Sequence, residues 1–319
     1  MKAAIVTGAG KTPIYGEFNE PELKAGEELI HVTASALSQL TKGRASGAHY
    51  SSSGQFPLIA GVDGVGRTAD GRRVYFVLPA APFGAMAERA AVRPEQCIPL
   101  PDGVDDVTAA AIANPGMSSW AALKERARLV AGETVLINGA TGVAGRLAVQ
   151  IARHLGAKKV IATGRNAQAL EELKTVGADI TIALTLPAEE LEAAFLEQFK
   201  GDGVHVVLDY LWGKSAEMLI VAAAKADNDG VQVRYVDIGS MSGGEITLPA
   251  AALRATNLTL MGSGIGSVSM AGLLGAINGV MQAVVPGKLQ IETEAVPLAS
   301  VEENWNKDSG GSRVVFVVG

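Results

Sequence analysis

From Thr134 onward, short apolar runs alternate with amphipathic stretches along the chain. Val135-Leu136-Ile137 predicts a strand followed by a helix through His154, and Val160-Ile161-Ala162-Thr163 a strand followed by a helix over 167–176. Further strands are predicted at 204–208, 231–236 and 258–261, with a helix near 215–226 between the first two. The alternation predicts an α/β domain, a doubly wound parallel sheet of about six strands over roughly residues 116–265. Before it, pieces such as Leu29-Ile30-His31-Val32-Thr33 and Arg73-Val74-Tyr75-Phe76-Val77 are broken by Gly, Pro and Ser. They predict a small twisted β domain. The run Arg313-Val314-Val315-Phe316-Val317-Val318 predicts a final strand that returns to that domain.

Composition adds limits to this pattern. With 319 residues, 48% of them apolar and 19% charged, the chain has the material for two globular domains. A net charge of -6 with scattered basic residues argues against nucleic acid or an anionic membrane surface as partner. Cys97 is the single cysteine, so neither an intrachain disulfide nor a cysteine-rich metal site can form, and a reducing cytoplasm is expected. The first apolar run stops at Gly8, too early for a signal-peptide core. Residues 271–285 are interrupted by Gly275, Asn278, Gly279 and Gln282, which predicts a buried or interfacial helix rather than a membrane span.

The chemistry-bearing segment is Asn138-Gly139-Ala140-Thr141-Gly142-Val143-Ala144-Gly145, which directly follows a predicted strand. Val143, Leu147, Ile151 and Leu155 fall at i+4 steps on one face of the helix that follows. At such a strand-to-helix turn Gly139 permits a tight bend, Gly142 lets the backbone approach a pyrophosphate and Gly145 lets the helix pack on the sheet. Free N–H groups and the positive helix end would then hold the phosphates. The second strand ends in Thr163-Gly164-Arg165-Asn166, without the carboxylate that accepts from the ribose 2′-hydroxyl of NAD. Gly164 is expected to leave room for a 2′-phosphate and Arg165 to offer it a planar donor fork, which favours NADPH; the bland alternative is a solvated loop arginine. Asn166 is expected to cap the next helix.

Several segments in order resemble the medium-chain dehydrogenase/reductase superfamily over essentially the whole chain. Pro57-Leu58-Ile59-Ala60-Gly61-Val62-Asp63-Gly64-Val65-Gly66 is similar to its P-x-x-x-G-x-[DE]-x-x-G turn, and Gly84-Ala85-Met86-Ala87-Glu88 to its G-x-[YF]-A-E strand. Ile98-Pro99-Leu100-Pro101-Asp102-Gly103 followed by Ala109-Ala110-Ala111, the glycine turn and Arg313-Val314-Val315 complete the match. The resemblance implies a GroES-like β domain of residues 1–115 with 266–319, a Rossmann domain of residues 116–265 and an active site in the cleft. It further implies a homodimer joined through the sheet edge at 258–261. Zinc alcohol dehydrogenases of the superfamily carry an early cysteine and a Gly-His-Glu; here Ser38 and Val62 replace the cysteine and the histidine. The four-cysteine zinc lobe is absent as well, and His31, His49, His154 and His205 form no close pair, so no metal is expected. Asp63 is expected to tie down its turn.

The closest pattern is that of the zinc-independent quinone oxidoreductases. The resemblance implies NADPH-dependent reduction of quinones or α,β-unsaturated carbonyls, since a conjugated system spreads the incoming charge without a Lewis acid. An enoyl or alkenal double-bond reductase shares every feature named, and a nucleotide-binding protein with a structural or sensing role is the alternative of another class. By position, Ser38 and Thr41 are expected to face the nicotinamide, with Lys42 a contact or a solvated charge. Tyr50 is expected either as a cleft tyrosine or in the core. Ser118, the turn residues Gly139, Thr141, Gly142, Val143 and Gly145, and Gly164, Arg165 and Asn166 are expected at the cofactor. Tyr210 and Leu211 after Asp209, Gly239 and Ser240, and Gly262 and Ser263 follow the later strands at the carboxyl edge, where ligands bind. Arg313 is expected to support the cofactor phosphates or to cap the last strand.

Overall fold

The computed structural model describes residues 1–48, 52, 54–226, 230–307 and 311–319. They divide into two compact units: Met1–Asn114 with Val280–Val285 and Gln290–Gly319, and Pro115–Gly279 with Pro286–Leu289.

The first unit is β-rich. A three-stranded sheet sets Lys2–Val6 between Ile14–Glu17 and Leu58–Ile59. A larger sheet runs in the order Thr293–Pro297, Arg313–Val317, Glu28–Ala36, Asp63–Thr68, Arg73–Val77, Cys97–Pro99, with Arg89–Val92 also on Glu28–Ala36. The C-terminal strand thus pairs antiparallel with Glu28–Ala36, matching Val315 to Ala36 and Phe316 to Ser35. Ile30, Val74 and Phe76 are fully buried between these strands, in keeping with the alternating apolar pattern.

The second unit carries a six-stranded parallel sheet in the spatial order Ile180–Ala183, Lys159–Gly164, Thr134–Asn138, Val206–Asp209, Val233–Asp237, Leu258–Gly262. The chain enters at a central strand, moves outward over two more and then crosses back to fill the other side. The strand order therefore reverses at the boundary between Thr134–Asn138 and Val206–Asp209, where open parallel sheets bind ligands at their carboxyl ends. Every residue of Thr134–Asn138 is buried because helices cover both faces. Phe195, Phe199, Leu219, Val207 and Tyr235 belong to one buried apolar cluster of this unit. On the helix Val143–His154, Leu147 and Ile151 are buried as their periodicity predicts.

Elements beyond the sequence pattern include an edge strand and a helix of the second unit. The edge strand Ile180–Ala183 and the helix Ala188–Phe199 occupy the stretch between the second helix and Val206. That strand has only four residues and one fully buried side chain, Ile182, so its apolar signal is slight. Residues 271–285 lie mostly in the helix Met270–Ala283, and no described helix is long and apolar enough to cross a membrane.

Candidate active site

The glycine turn joins the strand Thr134–Asn138 to the helix Val143–His154. Gly139 sits at φ +88°, in the left-handed region that a bend this tight requires. A Cβ at Gly145 would lie 2.4 Å from the Gly139 carbonyl oxygen, so only glycine lets the helix approach the turn. Gly142 differs: its nearest neighbour to a Cβ would be 4.0 Å away, leaving open space beside the backbone. Gly142 is also the N-cap residue and no side chain caps this helix, so its first N–H groups lack a side-chain acceptor. An exposed, uncapped helix end beside a residue with no side chain fits a pyrophosphate.

Polar side chains terminate the adjacent strands and bond to one another. Thr163 Oγ1 donates to Asn138 Oδ1 at 2.7 Å and accepts from the Gly139 N–H at 3.1 Å. Asn138 Nδ2 donates to Asp209 Oδ1 at 2.8 Å and to Ser215 Oγ at 2.9 Å. Asp209 is buried, and its Oδ1 also accepts from the Leu211 and Trp212 N–H groups at 2.8 and 3.1 Å, while its Oδ2 accepts from Tyr235 OH at 2.6 Å. These bonds hold Trp212 at φ +56°, a backbone region costly for a bulky residue. Asp209 is the last residue of its strand rather than the start of the loop.

This web sets the positions of the expected contacts. Tyr210 donates its N–H to the Asn138 carbonyl at 3.1 Å. The loops after Asp209 and Asp237 are joined by Ser242 N to Leu211 O at 2.8 Å and Met241 N to Tyr210 O at 3.3 Å, which brings Tyr210 and Leu211 beside Gly239 and Ser240. Ser263 N donates to Asp237 O at 2.8 Å and tethers the start of the next loop. Gly262 is the last residue of its strand, where its carbonyl accepts from Arg126 Nε at 2.8 Å. Ser118 donates to the Pro115 carbonyl at 2.7 Å, and the buried Tyr210 hydroxyl lies toward Ser118 and Ser119, its pKa pushed up to about 12 by burial. Thr141 and Val143 flank Gly142 in the turn itself, both part-exposed.

Two expectations change, at Gly164 and Arg313. Gly164 does not leave room for a phosphate: a Cβ there would meet Thr141 Cγ2 at 2.2 Å, so the space beside it belongs to the packed turn. Arg165 is exposed, with no hydrogen bond or ion pair among the described residues, and Asn166 caps the next helix by accepting from the Ala169 N–H at 3.0 Å. Arg313 begins the last strand rather than capping it and belongs to the first unit. Its Nε and Nη2 are buried without a hydrogen-bond partner, and the Asp63 charge opposes the effect of burial on its pKa. Tyr50, like His49, lies outside the described residues.

In the first unit Ser38 is the N-cap of the helix Gln39–Ser46; its Oγ accepts from the Thr41 N–H at 2.9 Å and donates to Thr41 Oγ1 at 2.9 Å. Ser38 and Thr41 are therefore brought together by the local capping geometry. Val62 and Thr41 line one small, solvent-open recess in this unit. Asp63 is buried, accepts from Tyr75 OH at 2.6 Å and has its pKa pushed up to about 6 by burial. Sequence reasoning passed over Asn138, Thr163, Tyr235 and Asp237 as polar hubs. Their available signal is that Asn138 and Asp237 each end an apolar strand with a polar residue.

Comparison with known proteins places this geometry in a family. The family described as zinc-binding dehydrogenase matches residues 144–278. A "probable NADPH-dependent quinone reductase" of Emericella nidulans is 30% identical over 358 aligned residues, covering 99% of this chain and all of the relative. The quinone oxidoreductase of Thermus thermophilus, solved also in complex with NADPH, superposes with a TM-score of 0.80 at 26% identity over 99% of this chain and 100% of that one. An NAD-dependent alcohol dehydrogenase superposes at 0.83 with 24% identity, covering both chains fully, a likeness of fold alone.

The carboxyl ends of the strands also carry a titrating group. Burial and the neighbouring Asp209 charge push the Asp237 pKa from 3.8 up to about 6, and its Oδ1 is buried without a partner. A carboxyl whose pKa is higher in the folded than in the unfolded state stabilises the fold while protonated, and that contribution is lost as pH rises through the folded pKa. Relative to Asp237→Asn, the urea midpoint of the wild type should therefore fall as pH rises from about 4 to about 6 and level off above about 7. Asp63 titrates in the same window in both proteins and cancels in the difference. A difference that stays constant with pH would show that Asp237 is not shifted.

Proposed function

Because the chain belongs to the quinone oxidoreductase subfamily of the medium-chain dehydrogenase/reductase superfamily, we propose that it reduces quinones and α,β-unsaturated carbonyls with NADPH and without zinc. The turn at 139–145 holds the pyrophosphate on the free end of the helix Val143–His154, with Gly142 as the point of close approach. Arg165, exposed and unpaired at the end of the second strand, takes the 2′-phosphate. When bound, NADPH supplies the hydride; the chain supplies orientation and hydrogen bonds.

The observation that carries the reading is the side-chain set at positions 38 and 62. Val62 is buried hydrocarbon, and the Ser38 hydroxyl is committed both as acceptor and as donor to Thr41. Neither residue fits a catalytic zinc, which takes thiolate, imidazole or carboxylate ligands. A simple ketone then has nothing to stabilise the alkoxide it would become, whereas a conjugated carbonyl spreads the charge itself. The edge position of Leu258–Gly262 supports assembly of two copies through that strand.

Loss of NADPH absorbance should be followed with a panel of quinones, enals, enones and enoyl thioesters against simple ketones, with and without a chelator. Turnover of the conjugated substrates, unchanged by chelator, is expected; turnover confined to ketones or abolished by chelator would sink the reading. Gly142→Val should abolish NADPH binding while leaving thermal stability near wild type, because the added side chain enters open space. Arg165→Ala should weaken NADPH by about tenfold and leave NADH affinity near its wild-type value, since only the former carries the phosphate. Equal weakening of both would make Arg165 a bystander.

A further inference from the structure

The recess of the first unit is walled by hydrocarbon from Leu58, Val62, Leu78 and Phe83, yet Thr41 and Arg44 also line it. Thr41 and Arg44 are three residues apart on the helix Gln39–Ser46, so both can present their polar ends to the same side. Arg44 is half-buried and has no carboxylate within ion-pair distance among the described residues, and none of the lining residues is acidic. Its pKa is lowered by burial alone, with no compensating charge. A half-buried guanidinium with no carboxylate partner among the described residues keeps N–H donors free for an anionic ligand. Thr41 adds a second donor: its Oγ1 already accepts from Ser38, which leaves its own proton for another acceptor.

We propose that Thr41 and Arg44 form a carboxylate-binding site, so that the conjugated carbonyl substrate of this protein bears a carboxylate. One guanidinium and one hydroxyl match the two oxygens of a single carboxylate, and the apolar walls accommodate the carbon skeleton. The inference rests on the conjugated-carbonyl reading above and adds to it the substrate's charge. Cofactor phosphate is the other source of anionic oxygens, and the test separates the two.

Full-length wild type, Arg44→Gln and Arg44→Lys should be compared with NADPH and a matched enone pair, 4-oxopent-2-enoate and 3-penten-2-one. The ratio of kcat/KM for acid over neutral enone should fall by about ten- to a hundredfold in Arg44→Gln, mainly through KM, and by less in Arg44→Lys. In the wild type it should shrink as salt is raised. In parallel, binding of the unreactive 4-oxopentanoate to the NADPH-loaded protein should be measured by calorimetry. Binding by the wild type that weakens at least tenfold in Arg44→Gln supports the site even if no enone turns over, in which case only the redox reading fails. Absent binding, equal binding by both proteins, or an NADPH affinity lowered in Arg44→Gln overturns it, the last by assigning Arg44 to the cofactor.

Discussion

The second unit depends on how its sheet ends. Parallel strands buried on both faces terminate in backbone and side-chain polar groups that lie beneath the loops, and each must find a partner. Asn138 and Asp209 meet that demand together. They end adjacent strands in register, Asn138 opposite Asp209, and bond directly at 2.8 Å. Asp209 then accepts from two loop N–H groups, and Thr163 closes the other side on Asn138 and the Gly139 amide. One charge-assisted network thereby anchors the glycine turn and the Tyr210-Leu211 loop. Because these loops are tied by hydrogen bonds as well as by packing of Trp212 on the core, they can present backbone to a ligand without collapsing.

The same constraint explains why small residues recur here. Gly145 yields to the Gly139 carbonyl and Gly164 yields to Thr141, so these glycines shape the protein's own contacts. Of Gly142, Gly145 and Gly164, only Gly142 has open space where a side chain would stand. Three glycines that look equivalent in sequence therefore do two different jobs, and only one leaves space beside its backbone.

That distinction marks the limit of what the chain reveals by pattern. The strand and helix alternation, the Asn166 cap and the turn at 139–145 follow from local rules of periodicity and capping, and the structure agrees with them. The four-residue strand Ile180–Ala183 escapes those rules because a single fully buried side chain gives no period to read. Gly164 misleads because its neighbour Thr141 is 23 positions away in sequence and meets it only after the sheet forms. Arg313 likewise comes within electrostatic reach of Asp63 across 250 positions, a proximity no local rule encodes. Arg44 is overshadowed by Lys42, whose charge looks the same in sequence but which does not line the recess.

Charge distribution then separates the two proposed binding surfaces. The chain is net acidic at -6, so its general field does not gather anionic ligands. Any anion it holds must be held by local donors in surroundings less polar than water, where each hydrogen bond counts for more. In the second unit those donors are backbone N–H groups at an uncapped helix end, suited to phosphate of any sequence context. In the first unit they are side chains, Thr41 and Arg44, set in hydrocarbon. Backbone donors come with any chain that builds such a turn, whereas an arginine in an apolar recess depends on the side chain at that position. On the proposed reading, the nucleotide is recognised by features of the fold, and discrimination among conjugated carbonyls rests with the side chains of the recess.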